Sequence, residues 1–156
     1  MKVYRIERKK YLDTTLDCLG ASMSDGFRWN SKNTHIVYSA ESRSLALLEI
    51  AVHLDLSEDL PNDRYYVEID IPDDIKITTI NIADLPDNWD EKPPTLKTQY
   101  IGDDFVKSGV SAVLKVPSCI IQQEFNYLVN PYHSDSKRIK ITSKNKLIFD
   151  SRLKNK

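Results

Sequence analysis

The amino-acid sequence predicts an α+β fold, built as a single compact domain over residues 1–156. Its length suits one ordinary domain. Several short runs of β-branched and aromatic residues have the length and the alternation of strands. Only one or two helical segments lie between these runs, so the pattern is not the regular strand–helix alternation of a parallel α/β fold.

The predicted strands follow from β-branched runs and from apolar–polar alternation. The cleanest case has Tyr65, Val67, Ile69 and Ile71 on one face of the chain, which is typical of a half-buried strand. A Ser-Lys-Asn turn at 143–145 is predicted to join the last two strands. The strands are expected at residues 2–8, 35–39, 65–71, 76–82, 111–116, 138–141 and 146–149.

Two helices are predicted. The first has Ser39 as its N-cap and Glu41 in its first turn, and it runs through the helix formers of 44–54. This segment is apolar on every side, which predicts a buried helix. A second helix is expected at 96–107, although Gly102 weakens the pattern. Residues 13–33 are polar and turn-prone, and long ordered loops of this kind often carry function.

Charge and composition exclude several classes of function. The chain has 22 Lys and Arg against 23 Asp and Glu, a formal net charge of −1, so no strong field favours nucleic acid or an anionic membrane. No stretch approaches the roughly 18 apolar residues of a spanning helix, and the N-terminus lacks a signal-peptide pattern. We therefore expect a soluble cytoplasmic protein with no membrane contact.

The sequence also lacks the common signatures of metal and nucleotide sites. Cys18 and Cys119 are too few for a disulfide framework or a four-cysteine zinc site, and His35, His53 and His133 have no metal-ligand spacing. No Walker or Rossmann glycine loop and no Gly-x-Ser-x-Gly elbow is present. No metal site is predicted.

Glu49 is the one ionisable residue inside the apolar run of the first helix. Burying an unpaired carboxylate costs several kcal/mol, so folds keep such a group mainly where chemistry needs it. The functional interpretation is an acid held at a cleft by a rigid helix. The structural alternative is a carboxylate that points out through a gap or pairs with an arginine.

Three further residues could belong to such a site. Arg28, at the end of the polar loop, could bind an anion through its planar fork, or it could be a surface residue stacked on Trp29. Tyr38 is more often a core residue than a ligand platform, and Ser118 is more often a turn residue. The basic stretch at 138–146 alternates and is best explained as a solvated strand face.

Taken in order, several short segments resemble the RES-domain family, which is named for an Arg, a Glu and a Ser. Each segment alone is weak, but the ordered set is specific and spans most of the chain. The segments are 3–6, 28–30, 37–38, 46–49, 101–103 with Gln99 and Phe105, 116–118, 124–131 and 149–153. The family usually has a glycine before the Arg and another shortly after the Asn, where this chain has Phe27 and Asn33.

The resemblance implies a fold similar to that of ADP-ribosyltransferases, with a split β-core, flanking helices and a cleft that holds NAD. NAD would be the substrate, and no resident cofactor is expected. The resemblance also implies the toxin of a bacterial toxin–antitoxin pair. Its partner would be an Xre-type helix-turn-helix antitoxin, through which alone it would contact DNA, and the toxin itself could form a homodimer.

The resemblance gives roles to individual residues. Glu49 would stabilise the positive charge that grows on the ribose or hold a ribose hydroxyl. Arg28 would grip the pyrophosphate with help from Arg5, and Tyr38 would line the nicotinamide or ribose pocket. Ser118 would orient the ribose or nicotinamide through its hydroxyl. The catalytic residues expected are therefore Glu49, Arg28 and Ser118, and the NAD-binding residues Arg5, Arg28, Tyr38, Ser118 and Asn126.

Three hypotheses about function remain open at this stage. The first is a toxin that degrades NAD by hydrolysis or phosphorolysis of the nicotinamide–ribose bond. The second is a mono-ADP-ribosyltransferase that uses the same site on a cellular protein. The third, of a different class, is a non-catalytic nucleotide-binding or interaction module, favoured only by Phe27 and Asn33.

Overall fold

The computed structural model describes residues 1–17, 26–55 and 60–154. The described residues form nine strands and two α-helices, so the predicted α+β class is confirmed. The strands are β1 (Lys2–Arg8), β2 (Gly26–Phe27), β3 (Asn30–Ser31), β4 (Val37–Ala40), β5 (Arg64–Asp70), β6 (Ile77–Thr79), β7 (Val113–Pro117), β8 (Phe125–Val129) and β9 (Lys140–Lys146). The helices are α1 (Arg43–Ala51) and α2 (Leu96–Ser108), and short 3-10 segments cover Lys9–Asp17, Ile82–Asp84, Ser134–Arg138 and Ser151–Leu153.

Seven strands form one mixed sheet in the order β6-β7-β8-β4-β1-β5-β9, and β2 and β3 form a separate hairpin. Strands β6 and β7 are parallel, and the other neighbours are antiparallel. Strands β1 and β4 are paired only at Tyr4 and Ala40, whereas β1 pairs with β5 along its whole length. The sheet therefore has two halves, β6-β7-β8-β4 and β1-β5-β9, joined at a narrow seam.

The two faces of the sheet are covered differently. We call the face that carries α1, α2 and the β2–β3 hairpin the site face. On it, α1 packs over β1 and β5, while α2 and the hairpin pack over β7 and β8. The opposite face buries a third apolar cluster, which includes Val3, Val37, Val67, Ile69 and Val113. Because strand side chains alternate between faces, one register places Tyr38, Ala40, Asn126 and Leu128 together on the site face.

Helix α1 begins three residues later than predicted, which corrects the assignment of its N-cap. Ser42 caps the helix by accepting a hydrogen bond from the Leu45 N–H at 3.0 Å. Ser39 instead lies in β4, where its hydroxyl donates to the Tyr127 carbonyl at 2.7 Å. The pairing of β4 with β8 continues to Ala40, so strand hydrogen bonds prevent the helix from starting earlier.

The prediction that this helix is buried on every side is also wrong. Within it only Leu45 and Ala46 are buried, and Val52 just beyond its end is 49% exposed. The helix lies on one face of a sheet, so its outer side remains open to water. The second helix is confirmed at Leu96–Ser108, where Gly109 ends it with a positive φ of 58°.

The predicted hairpin at the end of the chain is replaced by one continuous strand, β9. Residues 143–145, predicted as a turn, pair with 66–68 of β5, and the register shifts between Glu68 and Ile69. The ladder hydrogen bonds outweigh the turn preference of Ser and Asn in this segment. Residues 147–149 lie beyond the strand, although the Leu147 N–H still donates to the Arg64 carbonyl at 2.9 Å. Leu147 and Phe149 are buried, and Ile148 is 84% exposed.

The long loop predicted at 13–33 is only partly a loop. Residues 13–17 belong to the 3-10 segment Lys9–Asp17, and residues 26–31 form the hairpin. Residues 18–25, which include Cys18, lie outside the described residues. Among the helices of the described chain, none has the length and apolar character needed to cross a membrane.

Candidate active site

The structure brings Ser118 and Asn126 to Glu49, although they lie 69 and 77 residues after it along the chain. The Ser118 hydroxyl donates to Glu49 Oε1 at 2.8 Å, and the Asn126 amide donates to the same oxygen at 2.7 Å. Helix α1 supplies the acid, the residue after β7 supplies the serine, and β8 supplies the asparagine. The acid is therefore fixed across the seam between the two halves of the sheet.

Ser118 is held by its own turn. Its side chain is fully buried, and its hydroxyl oxygen accepts hydrogen bonds from the N–H groups of Ile120 and Ile121 at 3.1 and 3.2 Å. The hydroxyl proton is directed at Glu49, so the donor and both lone pairs of this group are occupied. This arrangement favours a positioning role for Ser118 over the direct contact with substrate that the resemblance implied.

Glu49 is half-buried, and its hydrogen-bond donors are both neutral. Within residues 1–17, 26–55 and 60–154, no Lys or Arg forms an ion pair with it, and its second oxygen accepts no hydrogen bond. The alternative of a structural Glu–Arg pair is therefore not found in this part of the chain. The acid is also not unpaired, as its apolar helix had suggested. Both hydrogen bonds come from neutral donors, so neither one cancels the charge of a carboxylate.

Tyr38 lies next to this group and organises the loop that carries Arg28. Its hydroxyl donates to Asn30 Oδ1 at 2.6 Å and accepts from the Trp29 N–H at 3.1 Å. The Phe27 ring packs edge-on against it, with 5.6 Å between ring centroids. On the sheet, Tyr38 lies two residues before Ala40, which pairs with Asn126, and therefore on the same face.

Arg28 is engaged elsewhere in this structure. Its Nη1 donates to the carbonyl of Trp89, and its Nη2 donates to the carbonyl of Glu91 at 3.1 Å, with Asp90 O at 3.5 Å. Main-chain oxygens therefore accept hydrogen bonds from both Nη atoms, which are the donors that a bidentate phosphate contact would use. No hydrogen bond joins Arg28 to the Glu49 group in the described residues. Trp29 stacks on Trp89, with 6.3 Å between centroids.

Arg5 lies on the face of the sheet opposite the site face. Its Nε donates to Glu7 at 2.8 Å, and its Nη1 donates to the Tyr38 carbonyl at 2.9 Å. Alternation along β1 places its side chain with Val3 on the face opposite Glu49. The structure therefore places Arg5 behind strand β4, where it supports the backbone of Tyr38.

The residues that hold the hairpin on α2 belong to the family segments, but sequence reasoning gave them no role. Asp103 accepts hydrogen bonds from the N–H and hydroxyl of Ser31 at 3.0 and 2.6 Å, and Gln99 donates to the Phe27 carbonyl at 3.1 Å. A Cβ atom on Gly102 would lie 1.6 Å from Trp29 O, so the hairpin approaches α2 as closely as glycine allows. A glycine inside a helical pattern was the available signal.

No group of three or more His, Cys, Asp and Glu residues suited to a metal ion occurs among the described residues. The group at Glu49 offers a carboxylate held in place by two side-chain hydrogen bonds. Such a site can stabilise a developing positive charge, bind hydroxyl groups and position an acceptor.

Comparisons with known proteins identify the family and the fold. A family model described as RES domain matches residues 2–150. A Prs ADP-ribosylating toxin of Sphingobium sp. (strain YBL2) is 39% identical over 150 residues, covering 94% of this chain and 91% of the relative. A Toxin Res of Photorhabdus laumondii subsp. laumondii is 35% identical over 154 residues, covering 98% and 97%. The fold is similar to that in the crystal structure of the M. tuberculosis MbcT–MbcA toxin–antitoxin complex, with a TM-score of 0.72, 15% identity, and coverage of 94% of this chain and 83% of that chain.

Proposed function

The chain belongs to the RES-domain family, and from this premise we propose that it is the toxin of a toxin–antitoxin pair that cleaves the nicotinamide–ribose bond of NAD. The observation that carries the proposal is the carboxylate of Glu49, fixed by the neutral donors Ser118 and Asn126. A carboxylate whose charge is not cancelled by a cation suits a reaction in which positive charge develops.

The chemistry of NAD fits such a site. The nicotinamide ring carries a positive charge and leaves as a neutral molecule when the C–N bond breaks, so the reaction needs no strong general acid. The transition state resembles an oxocarbenium ion, with positive charge on the ribose. Glu49 would stabilise that charge or hold a ribose hydroxyl. Ser118 and Asn126 would keep its carboxylate in place as the charge moves.

The other expected residues would bind the rest of the nucleotide. Tyr38 would offer its ring to the nicotinamide or ribose, and Arg5 would keep Tyr38 in position through the Tyr38 carbonyl. Arg28 would bind the pyrophosphate after exchanging the carbonyls of Trp89 and Glu91 for phosphate oxygens. This exchange is favourable because a guanidinium bonds an anion more strongly than a neutral carbonyl.

A second candidate differs only in the acceptor of ADP-ribose. The relative from Sphingobium is named for ADP-ribosylation, which favours transfer to a protein. Transfer to water or phosphate would make the chain an NAD glycohydrolase or phosphorylase. All of these reactions begin by releasing nicotinamide, so they share the proposed role of Glu49.

Incubating the purified chain with NAD and measuring nicotinamide tests the proposal. Free or phosphorylated ADP-ribose would support NAD degradation, while label retained on protein in a host lysate would support ADP-ribosyl transfer. A folded chain that releases no nicotinamide in either condition would contradict both and would favour a non-catalytic binding module.

Control by an antitoxin is part of the same proposal. The relatives include proteins named as toxins, and the solved structure of similar fold is a toxin–antitoxin complex. The net charge of −1 gives the chain little affinity of its own for DNA. We therefore assign operator binding to an Xre-type helix-turn-helix antitoxin, which would cover the site and compete for Arg28 with a carboxylate.

Expressing the chain with and without the neighbouring antitoxin tests this regulation. Growth arrest and loss of NAD should occur only without the antitoxin, and only the complex should shift promoter DNA. A chain that arrests growth equally in both conditions would contradict the regulatory role while leaving the enzymatic proposal intact.

A further inference from the structure

Glu124 carries a buried carboxylate oxygen with no hydrogen-bond partner. Its Oε2 is one of two buried side-chain polar atoms without a partner in the described chain, the other being Arg64 Nε. Burying a carboxylate oxygen without a donor is unfavourable, so an unsatisfied group of this kind requires an explanation. Nothing in the mechanism described so far uses it.

The backbone places Glu124 beside the Glu49 group. The N–H of Ser118 donates to the Glu124 carbonyl at 2.9 Å, which extends the β7–β8 ladder one step beyond the Pro117–Phe125 pair. Residues directly opposite each other on antiparallel strands have Cβ atoms about 5 Å apart. Ser118 in turn donates to Glu49, so Glu124 lies opposite the residue that holds Glu49.

The position of Phe125 shows on which face of the sheet the Glu124 side chain lies. The Phe125 ring lies 3.9 Å from Lys115 Nζ and packs with the apolar cluster of the face opposite the site. Because successive strand residues alternate, Glu124 emerges on the site face with Asn126. The Glu124 N–H donates to the Ile121 carbonyl at 2.9 Å, so the turn fixes its backbone.

We infer that Glu124 is a further catalytic residue of this site, the base that accepts a proton from the acceptor of ADP-ribose. The inference rests on the proposed function. A carboxylate oxygen accepts hydrogen bonds, so a ligand with an O–H or N–H group is the kind of partner that this oxygen could take. The last torsion of a glutamate is soft, so rotation can present either oxygen to that ligand.

The proposed reaction has two steps, the departure of nicotinamide and the capture of the ribose by the acceptor. The C–N bond of NAD breaks, its electron pair leaves with nicotinamide, and Glu49 stabilises the oxocarbenium ion. The acceptor oxygen or nitrogen then forms a bond to the ribose carbon and transfers its proton to Glu124. Glu124 afterwards releases this proton to solvent. The acceptor is therefore a neutral group that carries a hydrogen atom, either water or a protein side chain.

The same reasoning disfavours phosphate as the acceptor. Phosphate at neutral pH is already an anionic nucleophile that needs no base, and a second carboxylate beside Glu49 would repel it. Glu124 thus narrows the reaction to hydrolysis or transfer to a protein. If phosphate accelerates the wild-type enzyme and phosphorylated ADP-ribose is the main product, the inference is overturned.

The test separates the acceptor step from the bond-breaking step. Wild type and Glu124→Gln are given NAD and isotopically labelled nicotinamide, with host lysate protein present in one arm. Product is measured as free ADP-ribose plus protein-bound ADP-ribose, and exchange is measured as label entering NAD. Which product wild type forms identifies the acceptor as water or protein.

We expect Glu124→Gln to lower product formation about 100-fold or more, the usual contribution of a general base. Exchange should be retained or increased, because the oxocarbenium ion is recaptured by nicotinamide when the acceptor is not activated. Glu49→Gln should lose product and exchange together. The neighbouring exposed residue supplies a control, Gln123→Ala, which should match wild type in both measurements.

Thermal unfolding provides a readout independent of activity. An unpaired buried carboxylate does not stabilise the fold, so Glu124→Gln should melt at the wild-type temperature or above it. A lower melting temperature or a failure to fold would make Glu124 structural and overturn the inference. Equal product in Glu124→Gln and wild type, or a parallel loss of product and exchange, would overturn it as well. Wild type that releases no nicotinamide would instead contradict the proposed function itself.

Discussion

Two glutamates at helix α1 differ in the charge of their neighbours: Glu49 is part of the helix, and Glu68 is bound by it. Glu68, on β5, accepts hydrogen bonds from Lys2 and from Arg43 of α1, both at 2.7 Å, and from Thr142 at 2.9 Å. Glu49, on the helix itself, accepts only from neutral groups within the described residues. The fold compensates the charge of Glu68 where it serves structure, and it leaves the charge of Glu49 available to a ligand.

The cations around Glu68 also change its proton affinity. The hydrogen bond from Lys2, followed by that from Thr142, lowers the pKa of Glu68 below its ordinary value. The same contact raises the pKa of Lys2. Such a pair is a solvent-exposed structural feature, and its contribution to stability is modest and sensitive to salt.

The strongest test of the comparison exchanges both acids for glutamine. Glu49→Gln should lower NAD turnover on the order of 100-fold or more, because an electrostatic role depends on the charge that glutamine lacks. Glu68→Gln, the matched control, should keep turnover near wild type. Nicotinamide release measures both. A folded Glu49→Gln protein with near-wild-type release would remove Glu49 from catalysis.

Arg28 extends the comparison to a positive charge. We expect Arg28→Lys to weaken NAD binding by about 1–3 kcal/mol, since an ammonium cannot reproduce the planar fork. Calorimetry on wild type and variant measures the affinity, with Lys97→Arg on the exposed side of α2 as a control. Unchanged affinity would refute pyrophosphate binding by Arg28. Retained affinity with lost turnover would assign Arg28 to the transition state.

Ser118 tests how the charge of Glu49 is held. Ser118→Ala removes one of the two hydrogen-bond donors of Glu49, and it takes away the acceptor of the Ile120 and Ile121 N–H groups. We expect a loss of about 1–3 kcal/mol in the free energy of unfolding, together with a lower kcat. Urea denaturation measures the first, and Ser108→Ala at an exposed position should stay within about 0.5 kcal/mol of wild type. If turnover persists unchanged, Ser118 does not position Glu49.

The smallest effect concerns pH and Glu68. Because its folded-state pKa is lowered, its pairing stabilises the fold above the ordinary value of 4.5 and is lost as the pH falls through the lower folded value. Unfolding at pH 7 and near pH 3 should therefore show a larger acid loss of stability in wild type than in Glu68→Gln. High salt should reduce this difference. Identical pH dependence in the two proteins would show that the pair contributes nothing.

Local sequence patterns predicted the elements well where tertiary contacts favoured the same secondary structure. The alternation at 65–71 is confirmed in β5, where Val67 and Ile69 are fully buried, and the second helix is confirmed in α2. The patterns failed where a ladder decided the outcome. The patterns predict Ser39 as a helix cap, but it pairs in β4; they predict a turn at 143–145, but these residues pair with β5.

The same division holds for the candidate site. The sequence singled out Glu49 because an acid inside an apolar helical run is unusual, and the ordered segments identified the family. It could not show that Arg5 lies behind the sheet or that Arg28 is bound to the carbonyls of residues 89–91. Those outcomes depend on strand register and on a loop 61 residues away, which no local pattern contains.

What the sequence determined by itself was therefore the class of fold and the family, and it named Glu49 as the candidate acid, because these depend on periodicity, composition and the order of motifs. The tertiary structure decided which partners that acid has. It joined Ser118 and Asn126 to Glu49 and gave Glu68 two cations. Among the described residues, it left a carboxylate oxygen of Glu124 without a donor. Hydrogen bonds and charge compensation are short-ranged, so they are fixed only when distant segments of the chain come within about 3 Å of one another.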